Sequence, residues 1–400
     1  MSRYKKFLLK SAVFVSALFF TITLTPSEAL AEIKLIYRYN EPAREQGVPY
    51  TIAISPVGTT VYILLYSDIR PFIVMDVSDP HNIKKINEYS MEKDTIWQSK
   101  PASVRSSGIW QTGGDMDIGD FEGRKLAFIT TSASIQVLDC TDPYNMFSLG
   151  TNPDYAGMEW GGERMVEVKS PYIFVSNSGG FRIFEYSTLA ASEGKAPYEH
   201  VADVGPGYTP GYSLDFEFSK DGRYLYLSGF FGLDAYDITY INKPVLVFEY
   251  GNINSPYKSG NKGISVKADK NLLFLGTSRD LRIFDISNPA IPKPLKDDNN
   301  KDTLYPTLGP VLDIALYGKY VFLFYGPIED EKPAKPQDIG LEIVDISDPR
   351  LPEFIDAFIL GPATRFRYNP KQKMALVPEV GLAILGSDTF YILDVSDYIK

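Results

Sequence analysis

The 400-residue chain holds a single cysteine, Cys140, and only two histidines, His81 and His200. One thiol excludes a disulfide within the chain, a Cys-rich zinc site, an iron–sulfur cluster and the C-x-x-C-H haem attachment. Two histidines argue against a His-rich metal site or a His-based triad. Basic residues are short too. Forty Lys and Arg face fifty Asp and Glu, for a formal charge of -10. A pI near 5.0 argues against nucleic acid, which demands a basic face. What the chain does have is turn and strand chemistry, with 31 Gly, 28 Pro, 27 Tyr and 24 Phe. Hydrophobic residues at 44% and charged residues at 22% are those of an ordinary globular protein.

Residues 1–10, MSRYKKFLLK, are basic, and residues 11–24, SAVFVSALFFTITL, are apolar. A small-x-small site follows at Ala29-Leu30-Ala31. This grammar predicts a secretory signal peptide over 1–31. The apolar run is shorter than the roughly 20 residues that a membrane span needs. Position 32 is Glu rather than Cys, which argues against lipid attachment there. Residues 32–400 are then expected to work outside the cytoplasm, with no transmembrane segment after cleavage.

That remainder is a repeat. The clearest copies are Phe72-Ile-Val-Met-Asp76-Val-Ser-Asp-Pro80, Ile135-Gln-Val-Leu-Asp139-Cys-Thr-Asp-Pro143, Leu281-Arg-Ile-Phe-Asp285-Ile-Ser-Asn-Pro289 and Leu341-Glu-Ile-Val-Asp345-Ile-Ser-Asp-Pro349. Phe390-Tyr-Ile-Leu-Asp394-Val-Ser-Asp397 stops at its turn. Phe181-Arg-Ile-Phe-Glu185-Tyr-Ser-Thr188 and Leu233-Asp-Ala-Tyr-Asp237-Ile-Thr239 are degenerate. The seven acidic residues lie 63, 46, 52, 48, 60 and 49 positions apart, a period that points to a propeller or a solenoid. Each copy sits among apolar β-branched and aromatic runs separated by turns. Four strands per unit is a propeller blade. The expectation is an all-β, seven-bladed propeller of four-stranded antiparallel blades, forming one domain over 32–400. The last copy lacks its fourth strand. Ile33-Lys-Leu-Ile-Tyr-Arg-Tyr39 has the register to supply it, so the N-terminal strand is expected to close the ring.

The phrase Leu-x-Ile-Val-Asp-Ile-Ser-Asp-Pro at 341–349 resembles the LVIVD repeat of bacterial and archaeal extracytoplasmic proteins. The resemblance covers essentially all of 32–400. It implies a β-propeller and carries no catalytic signature with it. Blades three and four depart from the pattern, with Glu185 for Asp and no Asp-Pro turn in either.

The repeated Asp is best read as turn chemistry, since Asp or Asn before Pro, with Ser or Thr ahead, bonds its own backbone. Cys140 holds an apolar position shared with Val77, Ile286, Ile346 and Val395, which predicts a buried core thiol. His81 and His200 read as surface or packing residues. Segment 113–123 carries Asp115, Asp117 and Asp120 and has the look of a calcium loop, but its later positions do not continue that series. Its phase makes it an inner strand and turn.

Insertions cluster on one face, in loops joining blades or joining second strands to third. They carry Trp97, Trp110, Tyr155 and Trp160, and so all three tryptophans of the protein. Loops on a rigid scaffold are the usual seat of binding, and Trp and Tyr anchor interfaces or stack on sugars; plugging of the structure is the competing reading. Near the starts of the inner strands stand Asp117, Asp215 and Asp313, with Arg365 in blade seven. These could ring the channel mouth as a cation site or an acid/base pair, or simply bond neighbouring backbone amides. Two functions follow. The first is a non-catalytic binding or scaffolding propeller, monomeric, with a protein or glycan ligand on the loop-rich face and no cofactor or metal. The second is a carbohydrate-active or metal-assisted hydrolase or lyase using the channel-mouth carboxylates.

Overall fold

A computed structural model of the chain describes residues 32–39, 51–65, 72–89, 115–130, 135–152, 165–177, 180–192, 197–204, 213–229, 232–251, 263–326, 338–362, 373–386 and 390–399. They build seven antiparallel sheets, the blades of a β-propeller. From inner to outer strand, blade one runs Thr51–Val57, Thr60–Leu65, Phe72–Asp76 and Lys84–Tyr89. Blade two runs Met116–Phe121, Arg124–Thr130, Ile135–Asp139 and Phe147–Asn152. Blade three runs Val166–Lys169, Tyr172–Asn177, Gly180–Tyr186 and Tyr198–Val204. Blade four runs Ser213–Phe218, Tyr224–Gly229, Gly232–Asp237 and Val245–Tyr250. Blade five runs Gly263–Asp269, Leu272–Thr277, Asp280–Asp285 and Lys293–Pro294. Blade six runs Val311–Tyr317, Tyr320–Tyr325, Asp338–Asp345 and Glu353–Pro362. Blade seven runs Met374–Val377, Leu382–Gly386 and Phe390–Asp394, and its fourth strand is Lys34–Tyr39.

The N-terminal strand therefore closes the ring. Lys34 pairs with Asp394 and Tyr39 with Phe390. Tyr37 stacks on Phe390 at 6.2 Å between centroids, and Arg38 lies over the Tyr391 ring. Ile33 is buried in the cluster between blades six and seven. Among the described residues no helix is long and apolar enough to cross a membrane.

The repeated motif explains the ring. A strand alternates its side chains between two faces, and each third strand has a blade on either side. Motif positions one and three face the next blade. Positions two and four, and the residue after the Asp, face the previous one. Phe72 and Val74 thus pack against blade two, while Ile73 and Met75 pack against blade seven. Leu341 and Ile343 turn to blade seven, and Val344 to blade five. A strand buried on both faces reads as a largely apolar run, which is why motif positions one, three and four are apolar or aromatic in every blade. The core is seven clusters, one at each blade junction.

Six of the outer strands carry a bulge against their third strand, each opposite the step from motif position three to four. Such bulges twist an exposed edge away from a foreign strand. Blade five uses another device. Its outer strand is only two residues long, and the polar segment after it forms a short hairpin. Leu304–Pro306 then returns to the same third strand at Asp280–Arg282. The segment after the blade-three motif holds a short helix, Thr188–Ser192.

Candidate functional site

The motif acids are turn caps. Oδ1 of Asp76, Asp139, Asp237, Asp285, Asp345 and Asp394 each accepts the amide of the residue two ahead, at 2.7–3.0 Å. Asp79, Asp142, Asn288 and Asp348 repeat the bond three residues later in the same turns. Hydrogen bonds to the charged form help hold Asp76, Asp237, Asp285, Asp345 and Asp348 low. The Arg223 guanidinium and the Thr239 turn hold Asp237 down to about 2. Ser287 lowers Asp285. Cys140 is buried as its position foretold, with its thiol pushed up to about 12 by burial. His81 and His200 are exposed.

The inner strands hold a different set of acids. Asp117 Oδ1 accepts the amide of Ile118 at 2.8 Å, and its Oδ2 accepts the amide of Val168, in blade three, at 2.8 Å. Asp215 repeats the arrangement with Phe216 and with Val266 of blade five, both at 3.0 Å. Asp313 does so with Ile314 and with Met374 of blade seven. Each carboxylate is a clamp, using both oxygens on backbone amides and joining blades two to three, four to five and six to seven. Of the readings open for these three residues, amide bonding is the one the structure shows. Segment 113–123 is an inner strand and turn from Asp115 onward: Glu122 and Gly123 take positive φ values of 54° and 82°, and Asp120 caps Gly123 at 3.1 Å.

Around the clamps lie residues that the repeat did not single out. Asp115, completely buried, accepts the Val166 amide and pairs with Lys373 Nζ, both at 3.1 Å. Lys373 stands immediately before the inner strand of blade seven. It reaches Asp115 in blade two, past blade one. Glu167 and Glu217 lie on the inner strands of blades three and four, and Lys267 of blade five pairs with Glu217 at 2.6 Å. The signal for these residues was available: Glu217 lies two positions after Asp215, and Asp115 two before Asp117, so each pair shares a strand face. Burial pushes Asp215 up to about 6 and Asp313, which also feels Asp215, up to about 7. Burial and then Asp117 push Glu167 well above the carboxylate range. Burial also raises Asp117 and Glu217. For Lys373 burial works downward, but the carboxylates of Asp115, Asp215, Glu167 and Asp117 outweigh it and raise the ammonium.

Among the described residues no three His, Cys, Asp or Glu side chains are placed to hold a metal ion. Trp97, Trp110, Tyr155, Trp160 and Arg365 lie outside the described residues. Among the described residues of blade seven, Lys373 stands beside the inner-strand carboxylates.

A second polar set occupies motif position two, facing the previous blade. Glu342 accepts the Tyr305 hydroxyl at 2.6 Å and the Leu308 amide at 3.0 Å, both from the segment after blade five. Arg282 donates to the Tyr250 hydroxyl of blade four at 2.9 Å. Asp234, buried and raised to about 7 by burial and Glu249, stands at the same position in blade four.

The LVIVD repeat family matches residues 263–295 and 336–358, which contain the blade-five and blade-six motifs. No functionally curated protein matches the chain. Among solved structures, a protein from Lactobacillus plantarum is similar with a TM-score of 0.53 and 12% identity, over 78% of this chain and 85% of that one. A chain of the Chaetomium thermophilum Polycomb Repressive Complex 2 is similar with a TM-score of 0.56 and 9% identity, over 91% of this chain and 98% of that one. At these identities the likeness is one of fold.

Proposed function

We propose that this chain, an LVIVD-repeat β-propeller, is a non-catalytic binding or scaffolding protein that works outside the cytoplasm after loss of residues 1–31. The observation that carries the reading is the engagement of the inner-strand carboxylates. Asp117, Asp215 and Asp313 each spend one oxygen on the next amide of their own strand and the other on an amide of the following blade. A general base must reach a substrate proton, and a nucleophile must have a free lone pair aimed at carbon. These groups are occupied in holding the scaffold. Contact with a protein or glycan ligand then falls to the aromatic loops of Trp97, Trp110, Tyr155 and Trp160.

The hydrolase reading keeps one observation in its favour. Asp215 and Asp313, at about 6 and about 7, sit where an acid/base pair is useful near neutral pH. The two readings separate in one experiment. Residues 32–400 are screened against a glycan array and against detergent-solubilised envelope proteins, beside the Trp97→Ala/Trp110→Ala/Trp160→Ala variant. The binding reading expects one reproducible glycan class or protein retained by the native chain and lost from the variant, with melting midpoints within about 2 °C. Turnover of a glycoside substrate that Asp215→Asn abolishes, with no such ligand, would overturn it. N-terminal sequencing of the exported protein should begin at Glu32.

A further inference from the structure

Folding gathers eight ionisable side chains of the inner strands and their immediate flanks into one electrostatic set. Six are carboxylates, Asp115, Asp117, Glu167, Asp215, Glu217 and Asp313, and two are ammonium groups, Lys267 and Lys373. Both lysines are committed, Lys373 to Asp115 at 3.1 Å and Lys267 to Glu217 at 2.6 Å. That leaves Asp117, Glu167, Asp215 and Asp313 without an ion-pair partner of their own among the described residues. Three of the four are the blade clamps. Their charged neighbours are mixed: Glu167 feels Asp117 and Glu217 against Lys373 and Lys267, Asp313 feels Asp215 against Lys373, and Asp117 and Asp215 feel Lys373 ahead of Asp115. A half-buried carboxylate that has lost its water, and whose lysine neighbour is already paired with another acid, is costly to ionise even with two amide bonds.

We propose that this cluster is a pH-responsive lock on the ring, closed under mildly acidic conditions and loosened as the surplus carboxylates ionise toward and above neutrality. The device stands apart from the binding reading and holds whether or not the loops recognise a ligand. Its direction follows from linkage. These carboxyls hold their protons more tightly folded than unfolded, so their contribution is full below the unfolded value of about 4 and is lost as pH rises through the folded values. For Asp215 and Asp313 that loss falls between about pH 5 and pH 8. The turn caps Asp76, Asp237 and Asp285 do not interfere. Their folded values are lowered, so their contribution is already complete above about pH 5. Lys267 and Lys373 are raised and keep their protons throughout the window. Asp234 titrates in the same range, but in the third strand of blade four beside Glu249, away from the inner strands. It requires its own control.

The test is the melting midpoint of the intact chain from pH 5 to pH 8.5 at fixed ionic strength, for the native protein, Asp215→Asn/Asp313→Asn and Asp234→Asn. The native midpoint should fall by about 5–10 °C across the range. The double variant should lose at least half of that slope whatever its absolute midpoint, because Asn cannot ionise. Asp234→Asn should remove only its own smaller share. A native midpoint that is flat or rises from pH 5 to pH 8 would overturn the lock, and so would an unchanged slope in the double variant. If the double variant does not fold, carbon-detected NMR of the native protein decides. Asp215 and Asp313 carboxyl carbons titrating between pH 5 and pH 8 support the lock, and midpoints below pH 4.5 refute it.

Discussion

Two sets of aspartates run through this ring, and they behave as opposites. The motif Asp recurs in six of the seven blades at the end of the third strand and caps its own turn, and in blades one, four, five and six its carboxyl is held low. The clamp Asp stands only in blades two, four and six, bonds an amide of the next blade, and is pushed up by burial. Blades two, four and six share one more feature. A cation from the first hairpin, Arg124, Arg223 or Lys319, meets the motif Asp at 2.8–3.6 Å. What is repeated in nearly every blade is punctuation within a blade. What joins one blade to the next is irregular, because each junction has its own two faces to reconcile.

The comparison presupposes a closed ring, so the largest effect belongs to the closing strand. Removing residues 32–39 unpairs the third strand of blade seven and strips Ile33 from its cluster. Six residues of ladder at roughly 1 kcal/mol each, with about 3 kcal/mol for a buried Ile, approach the whole stability of an ordinary domain. The truncated chain is expected to show no cooperative melt by circular dichroism. A sharp transition within a few degrees of the native one would mean that the ring does not depend on its latch.

The two aspartate sets should then differ in cost. At pH 6, Asp117→Ala orphans the amides of Ile118 and Val168 at a blade junction and is expected to cost about 2–3 kcal/mol. Asp285→Ala frees a turn amide to water and is expected to cost about 1 kcal/mol or less. Urea melts of the two variants give the ranking, and a reversed order would break the distinction between junction and turn. The pH responses should also run in opposite directions. The Asp285 contribution, from a lowered carboxyl, is present above about pH 4 and disappears as acid is added.

How much of this was legible in the sequence follows the same division. The motif announced the blades, the turn caps and the ring closure, because a local phrase of nine residues encodes a strand, its burial and its turn. It also placed Asp117, Asp215 and Asp313 at matching positions. It did not reveal Lys373, whose partner Asp115 is 258 residues away and on a blade that is not adjacent. Nor did it reveal Glu342 or Arg282, which sit in the motif's variable position. Their partners lie outside the motif phrase, Tyr305 in the extra segment after blade five and Tyr250 at the end of blade four's outer strand. Blade five hid its short outer strand for a simple reason. Pro292 and Pro294 cannot donate to a ladder, and the Asn-rich hairpin that follows restores the edge one turn later.

The smallest effect is expected at Cys140, where the two kinds of position meet. It follows the blade-two motif Asp, yet its side chain enters the junction with blade one. Val77 and Val395 occupy the same place in blades one and seven and are fully buried there. Cys140→Val therefore exchanges one small apolar group for another of similar volume. What it loses is a weak bond, in which the thiol donates to the Lys125 carbonyl at 3.2 Å. The change should stay within about 1 kcal/mol. The native thiol, raised to about 12 by burial, should also resist alkylation at pH 8 until the ring unfolds. Iodoacetamide labelling along a urea gradient measures both at once, since the labelling midpoint should coincide with the unfolding midpoint. Labelling that runs ahead of unfolding would show the junction of blades one and two opening by itself, and would make that unclamped junction the weakest in the ring.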